Sequence, residues 1–112
     1  MANNLSQLKK ALTAGAEFEI VGHRRPECVG QRRRVNVANT AGFYSIIPDE
    51  PDSKTTLANG GKGSFLGWSK ARFWRFENGV CALYDDGEAQ TPERLVIAIK
   101  LKEGAHGKPV QD

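Results

Sequence analysis

The chain has 112 residues, 39% of them hydrophobic and 26% charged, with a formal net charge of +3. That length predicts a single domain, and that balance excludes a disordered tail as the whole. No apolar run approaches the ~20 residues that span a bilayer, and no charged region leads into an apolar leader at the N-terminus. The charge is uneven: residues 1–47 carry seven Lys/Arg against three Asp/Glu, and 48–112 carry nine against ten. Arg24, Arg25, Arg32, Arg33 and Arg34 supply most of the excess. They read either as a patch that steers an anionic partner or as a solvated strand end.

In chain order, "NNLSQLKKALTAG" predicts a helix with Asn4 as cap, Gln7 three residues on and Gly15 as a left-handed stop. Leu5, Leu8 and Leu12 form one narrow apolar stripe that needs a sheet against it. "EFEIV" alternates as a half-buried strand. "GHRRPECVG" reads as a loop, because Gly22, Pro26 and Gly30 interrupt regular pairing. "QRRRVNVAN" resumes alternation with Val35 and Val37 inward and Arg34 and Asn36 outward. "GFYSIIP" is a third strand ended by Pro48. "DEPDSKTTLANGGKG" reads as a long polar connection before the short strand "SFLGW", whose Trp68 fits either core or surface.

The sharpest local signal is "ARFWRFENGVCALYDD". Asn78-Gly79 suits a type I′ hairpin turn, where both central residues need positive φ. That turn pairs Glu77 with Val80, Phe76 with Cys81, Arg75 with Ala82, Trp74 with Leu83 and Phe73 with Tyr84. Trp74, Phe76, Cys81 and Leu83 then face the core, while Phe73, Arg75, Ala82 and Tyr84 face outward. In "RLVIAIKL", Leu95, Ile97, Ile99 and Leu101 share the inner side, with Val96, Ala98 and Lys100 opposite.

The fold expected is α+β: an N-terminal helix packed on a curled antiparallel sheet of about six strands, or a small partly open barrel. Residues 1–103 form the single domain and 104–112 a flexible tail. Two placements of the helix stay open. It covers either the inner face or the outer aromatics of the hairpin.

Candidate chemistry is sparse. A phosphate-binding P-loop needs Gly, four residues, then Gly-Lys-Ser/Thr between strand and helix. Here Gly61-Lys62 is followed by Gly63 and a strand, so "NGGKGS" reads as a bend. His23, Cys28, Cys81 and His106 form no CxxC or HxxxH pair, so no metal is expected. The carboxylates of Asp49, Glu50, Asp52, Asp85, Asp86 and Glu88 sit in polar turns. A His23–Cys28 nucleophile pair lacks an orienting third group in the sequence. The reading is a protein that is not an enzyme, with no cofactor and with free thiols in a reducing cytoplasm.

What remains is a surface combining cations with rings. Phe73, Arg75 and Tyr84 resemble a stacking platform. Arg24, Arg25, Arg32 and Arg34 would supply phosphate contacts or dock on an acidic protein surface. Lys62 lies at the tip of the glycine bend and joins them as a contact residue.

Residues 27–84, roughly half of the chain, resemble short uncharacterised proteins of phages and mobile elements of Gram-positive bacteria. The segments "GFYS", "NGGKGS", "GW" and "ENGVC" carry the resemblance. It brings no assigned active site. It implies a small accessory protein that binds host or phage machinery in the host cytoplasm, as inhibitors of defence nucleases such as anti-CRISPR proteins do. The expected partner is thus a nucleic acid or nucleoprotein complex, or, in the alternative, a protein met in an assembly without nucleic-acid contact. No membrane is expected.

Overall fold

The computed structural model describes residues 2–102, so the expected tail at 104–112 lies outside the described residues. Helix α1 (Leu5–Ala11) is capped at its N-terminus as its sequence predicts, the Asn4 side chain accepting the Gln7 backbone N–H at 2.9 Å, but it closes at Leu12 and not at Gly15. Seven strands follow: β1 (Glu17–His23), β2 (Arg32–Ala38), β3 (Gly42–Ile46), β4 (Ser64–Gly67), β5 (Trp74–Glu77), β6 (Val80–Tyr84) and β7 (Leu95–Leu101). They form one sheet in the order β4-β3-β2-β1-β7-β6-β5, antiparallel throughout, so the architecture is α+β with a curled open sheet.

Two meanders, β1 to β4 and β5 to β7, meet where β7 returns to pair with β1. Register shifts in β1 between Ile20 and Gly22, in β2 between Val35 and Val37, and at Leu83/Tyr84 bend the sheet as bulges do. Edge strands β4 and β5 do not pair, but the segment joining them draws them together. The Trp74 indole N–H donates to the Trp68 carbonyl at 2.6 Å, and Trp68 donates to the Asn39 carbonyl at 3.0 Å. Trp68 is therefore core, with its ring 5.1 Å from that of Phe43.

Helix α1 lies inside the curl, not over the outer aromatics. Leu8 and Leu12 are fully buried in the same cluster as Phe18, Ile20 and Ile99. Burying such side chains contributes about 1.5–3 kcal/mol each, which is why this short helix holds its place. The hairpin forms in the expected register from Glu77↔Val80 to Trp74↔Leu83, around Asn78 and Gly79 at φ 53° and 79°.

Four further local expectations are corrected. Phe73 does not continue β5; it ends a 3-10 turn, Ala71–Phe73, and a bulge shifts Tyr84 to pair with Leu95. That same bulge puts Leu95 on the outer groove and Val96 against the core, reversing the alternation expected there. The bulge in β2 carries Val37 to the outer side opposite Tyr44, leaving it half-buried. The connection after Pro48 contains a kinked helix, α2 (Lys54–Gly61), capped by Ser53. Thr56 pins it to the end of β3 by accepting the Ile47 N–H at 3.0 Å and donating to the Glu50 carbonyl at 3.0 Å. The bend reading of "NGGKGS" agrees with the backbone: Asn59, Gly60, Gly61 and Gly63 all have positive φ, and a side chain at 63 would strike the Ser45 backbone.

Candidate functional site

Antiparallel pairing sends alternate strand ends to the same rim of the sheet. The C-terminal end of β1, the start of β2, the end of β3, the start of β4 and the start of β7 therefore share one mouth of the curl. The opposite mouth is filled by α1, where Gly15 and Ala16 hydrogen-bond to Val35 at 2.8 Å. At the first mouth lies an open pocket of about 310 Å³. Its polar walls include His23 at the end of β1, Arg24, Arg25 and Cys28 from the β1–β2 loop, and Arg33 and Ser45 from β2 and β3. Thr55, Ser64, Phe65 and Leu66 complete the lining, while the Phe65 ring itself packs on Tyr44 at 4.9 Å on the outer face.

Arg33 is the unusual member. It is only 5% exposed, on the inward side of β2, one step along the alternation from Val35. Its Nε and one terminal nitrogen donate to the Gln31 amide oxygen at 3.0 and 2.7 Å, and the other donates to the Ser45 hydroxyl at 3.0 Å. All three contacts are to neutral oxygens, and the Cys28 sulfur lies beside the guanidinium. Among the described residues no carboxylate pairs with it, although seven ion pairs form elsewhere. A buried charge normally has an opposite charge to offset its desolvation. Burial accordingly pulls the Arg33 pKa down, but a guanidinium remains protonated.

His23 reports the same field. Its Nδ1 accepts the Arg25 backbone N–H at 2.9 Å, which fits a neutral ring with its proton on Nε2. Burial lowers its pKa first, and the charges of Arg33, Arg25 and Arg24 push the same way, with Glu27 opposing them. Among the described residues no carboxylate lines the pocket.

The expected contact residues fall into separate groups. Arg24 and Arg25 stand at the pocket mouth, where Arg24 also meets Asp85 at 3.1 Å. Arg32 and Arg34 point out from β2 into a lattice of ion pairs. Arg32 lies 2.9 Å from Asp49, Arg34 lies 3.7 Å from Glu17, and Lys102 lies 3.6 Å from Glu17. Lys62 rests over the Tyr44 ring at 5.6 Å. Arg75 pairs with Glu77 at 2.9 Å and shares with Tyr84 a shallow outer groove of about 350 Å³, floored by Gly22 and Ala98. Phe73 leaves that groove; it is half-buried against the core, under the Arg72 guanidinium at 5.2 Å.

His23 and Cys28 do reach one pocket, but the His23 Nδ1 is occupied by the Arg25 backbone N–H and no hydrogen bond joins the pair. No group of three His, Cys, Asp or Glu among the described residues could hold a metal ion. No described helix is long and apolar enough to cross a membrane. Sequence reasoning missed Arg33 as a site residue, yet the signal was present: the alternation that turns Val35 inward turns Arg33 inward too. No protein-family model matches the chain, and neither a curated protein nor a solved structure matches it at a significant level.

Proposed function

We propose that the chain is a non-enzymatic binding domain that engages a nucleic acid or nucleoprotein complex through the cationic mouth of its curled sheet. The carrying observation is Arg33, buried without a carboxylate and flanked by Arg25, Arg24 and His23. Cations held in a concave, partly dry site attract phosphate more strongly than cations on an open surface. The resemblance of residues 27–84 to phage and mobile-element proteins supports a role by occupancy, as in an inhibitor of a defence nuclease. Short oligonucleotides test the reading. Affinity falls steeply with salt, and Arg25→Ala lowers the logarithmic salt slope by about 1. Absence of binding at low salt overturns it.

A second reading, a protein–protein module, is favoured by the outer face. There the arginines are already paired with carboxylates, and Val21, 39% exposed, borders the Tyr84 groove. Apolar centres within polar rims suit protein partners. Under that reading Tyr84→Ala weakens capture of a protein partner while leaving oligonucleotide affinity unchanged.

A further inference from the structure

The mouth differs from a strip of backbone-tracking cations in having depth. A groove that follows a nucleic-acid strand presents charges in line along its surface. Here one guanidinium sits at the bottom of a pocket, and other cations and hydroxyls stand around it. The Ser45 hydroxyl accepts from Arg33, so its own proton is free to donate into the pocket. Thr55 and Ser64 line the same space. A volume of about 310 Å³ suits one compact group and not a run of strand.

We infer that this pocket is a binding site for a single phosphomonoester, carried either by a free nucleotide or by the phosphorylated end of a strand. The inference rests on the anion-binding reading of the same mouth and narrows it from a polyanion to one dianionic group. The terminal N–H groups of Arg33 not taken by Gln31 and Ser45, a second cation from Arg25 and hydroxyl donors match several phosphate oxygens at once, whereas one carboxylate would leave donors unused. The anion supplies the charge partner that Arg33 lacks within the fold.

Cys28 lines the pocket, whereas Cys81 is 1% exposed, with its thiol pushed up to about 11 by burial. Alkylation by iodoacetamide, mapped by mass spectrometry, therefore reads occupancy at Cys28 with Cys81 as an internal control. Calorimetry with the same probes reads binding without the thiol. The probes are inorganic phosphate, adenosine, adenosine monophosphate, and one oligonucleotide with and without a 5′-phosphate. Adenosine monophosphate and the phosphorylated strand are expected to bind and to slow Cys28 alkylation at least tenfold at saturation, with inorganic phosphate weaker and adenosine inert. Arg25→Ala, on an exposed loop, weakens the monophosphate about tenfold or more, as loss of a charge-assisted contact does, and Arg33→Met abolishes binding. If both strands bind equally without protecting Cys28, the phosphomonoester site is overturned while the nucleic-acid reading stands. If the monophosphate binds and protects but neither strand binds at low salt, the pocket stands and the nucleic-acid reading falls. Failure of every phosphate probe to bind by calorimetry overturns the pocket.

Discussion

The two mouths of the curled sheet share the same strands and the same alternation of side chains, yet they are closed by opposite means. At one mouth α1 inserts Leu5, Leu8 and Leu12, and the space is dry and filled. At the other, β2 turns Arg33 inward, β1 ends on His23 and the loop after it brings Arg25, leaving a pocket. If closure were the only requirement, an apolar residue at 33 would continue what Val35 does. Replacing a buried ion by a well-packed apolar side chain is often neutral or stabilising. The difference between the mouths therefore separates residues that hold the fold from residues available to a partner.

Substitutions break that comparison in graded steps. Leu8→Ala empties the filled mouth and is expected to cost about 2–5 kcal/mol in urea unfolding. Arg33→Met, at the open mouth, is expected to stay within about 2 kcal/mol of the parent, because lost hydrogen bonds to Gln31 and Ser45 are offset by relief of a buried charge. A loss as large as that of Leu8→Ala would place Arg33 among the structural residues instead. Acid sharpens the contrast next. His23 has a folded pKa below its ordinary value of 6.5, so between those two values the unfolded chain binds more protons and stability falls as pH falls. His23→Gln flattens that slope, and bound phosphate raises the His23 pKa as followed by NMR, opposing the Arg33, Arg25 and Arg24 charges and joining Glu27. The smallest effect belongs to the outer face. Arg34→Ala, whose partner Glu17 lies 3.7 Å away with both side chains solvent-accessible, is expected to change stability by less than about 1 kcal/mol and to leave phosphate binding untouched.

The parts legible in the sequence were those written in local signals. Asn78-Gly79 set the hairpin register, Asn4 set the start of α1, and the Leu5/Leu8/Leu12 stripe announced a helix that must be covered. The parts that escaped depend on long-range geometry. Nothing in "VNV" or "RLVI" marks a bulge, so the outward turn of Val37 and the exchange of Leu95 with Val96 follow only from how neighbouring strands pair. Ser53 and Thr56 were available as a cap signal for α2, but the glycines that follow masked it. In the site, Arg24 and Arg25 were legible as loop cations. Arg33 was hidden by its neighbours: within "RRRV" each arginine alone looks solvated, and only strict alternation with Val35 sends the middle one inside. The outer arginines looked free because their partners Asp49 and Glu17 come from other strands and loops.

The most direct measurement is a proton–nitrogen NMR titration of the arginine Nε–H signals with inorganic phosphate, using Arg33→Met to assign the buried group. The Arg33 signal is predicted to shift saturably and together with Arg25, while those of Arg34 and Arg75 stay still. A titration in which Arg33 does not move, or in which every arginine drifts alike, would contradict a phosphate pocket at the open mouth.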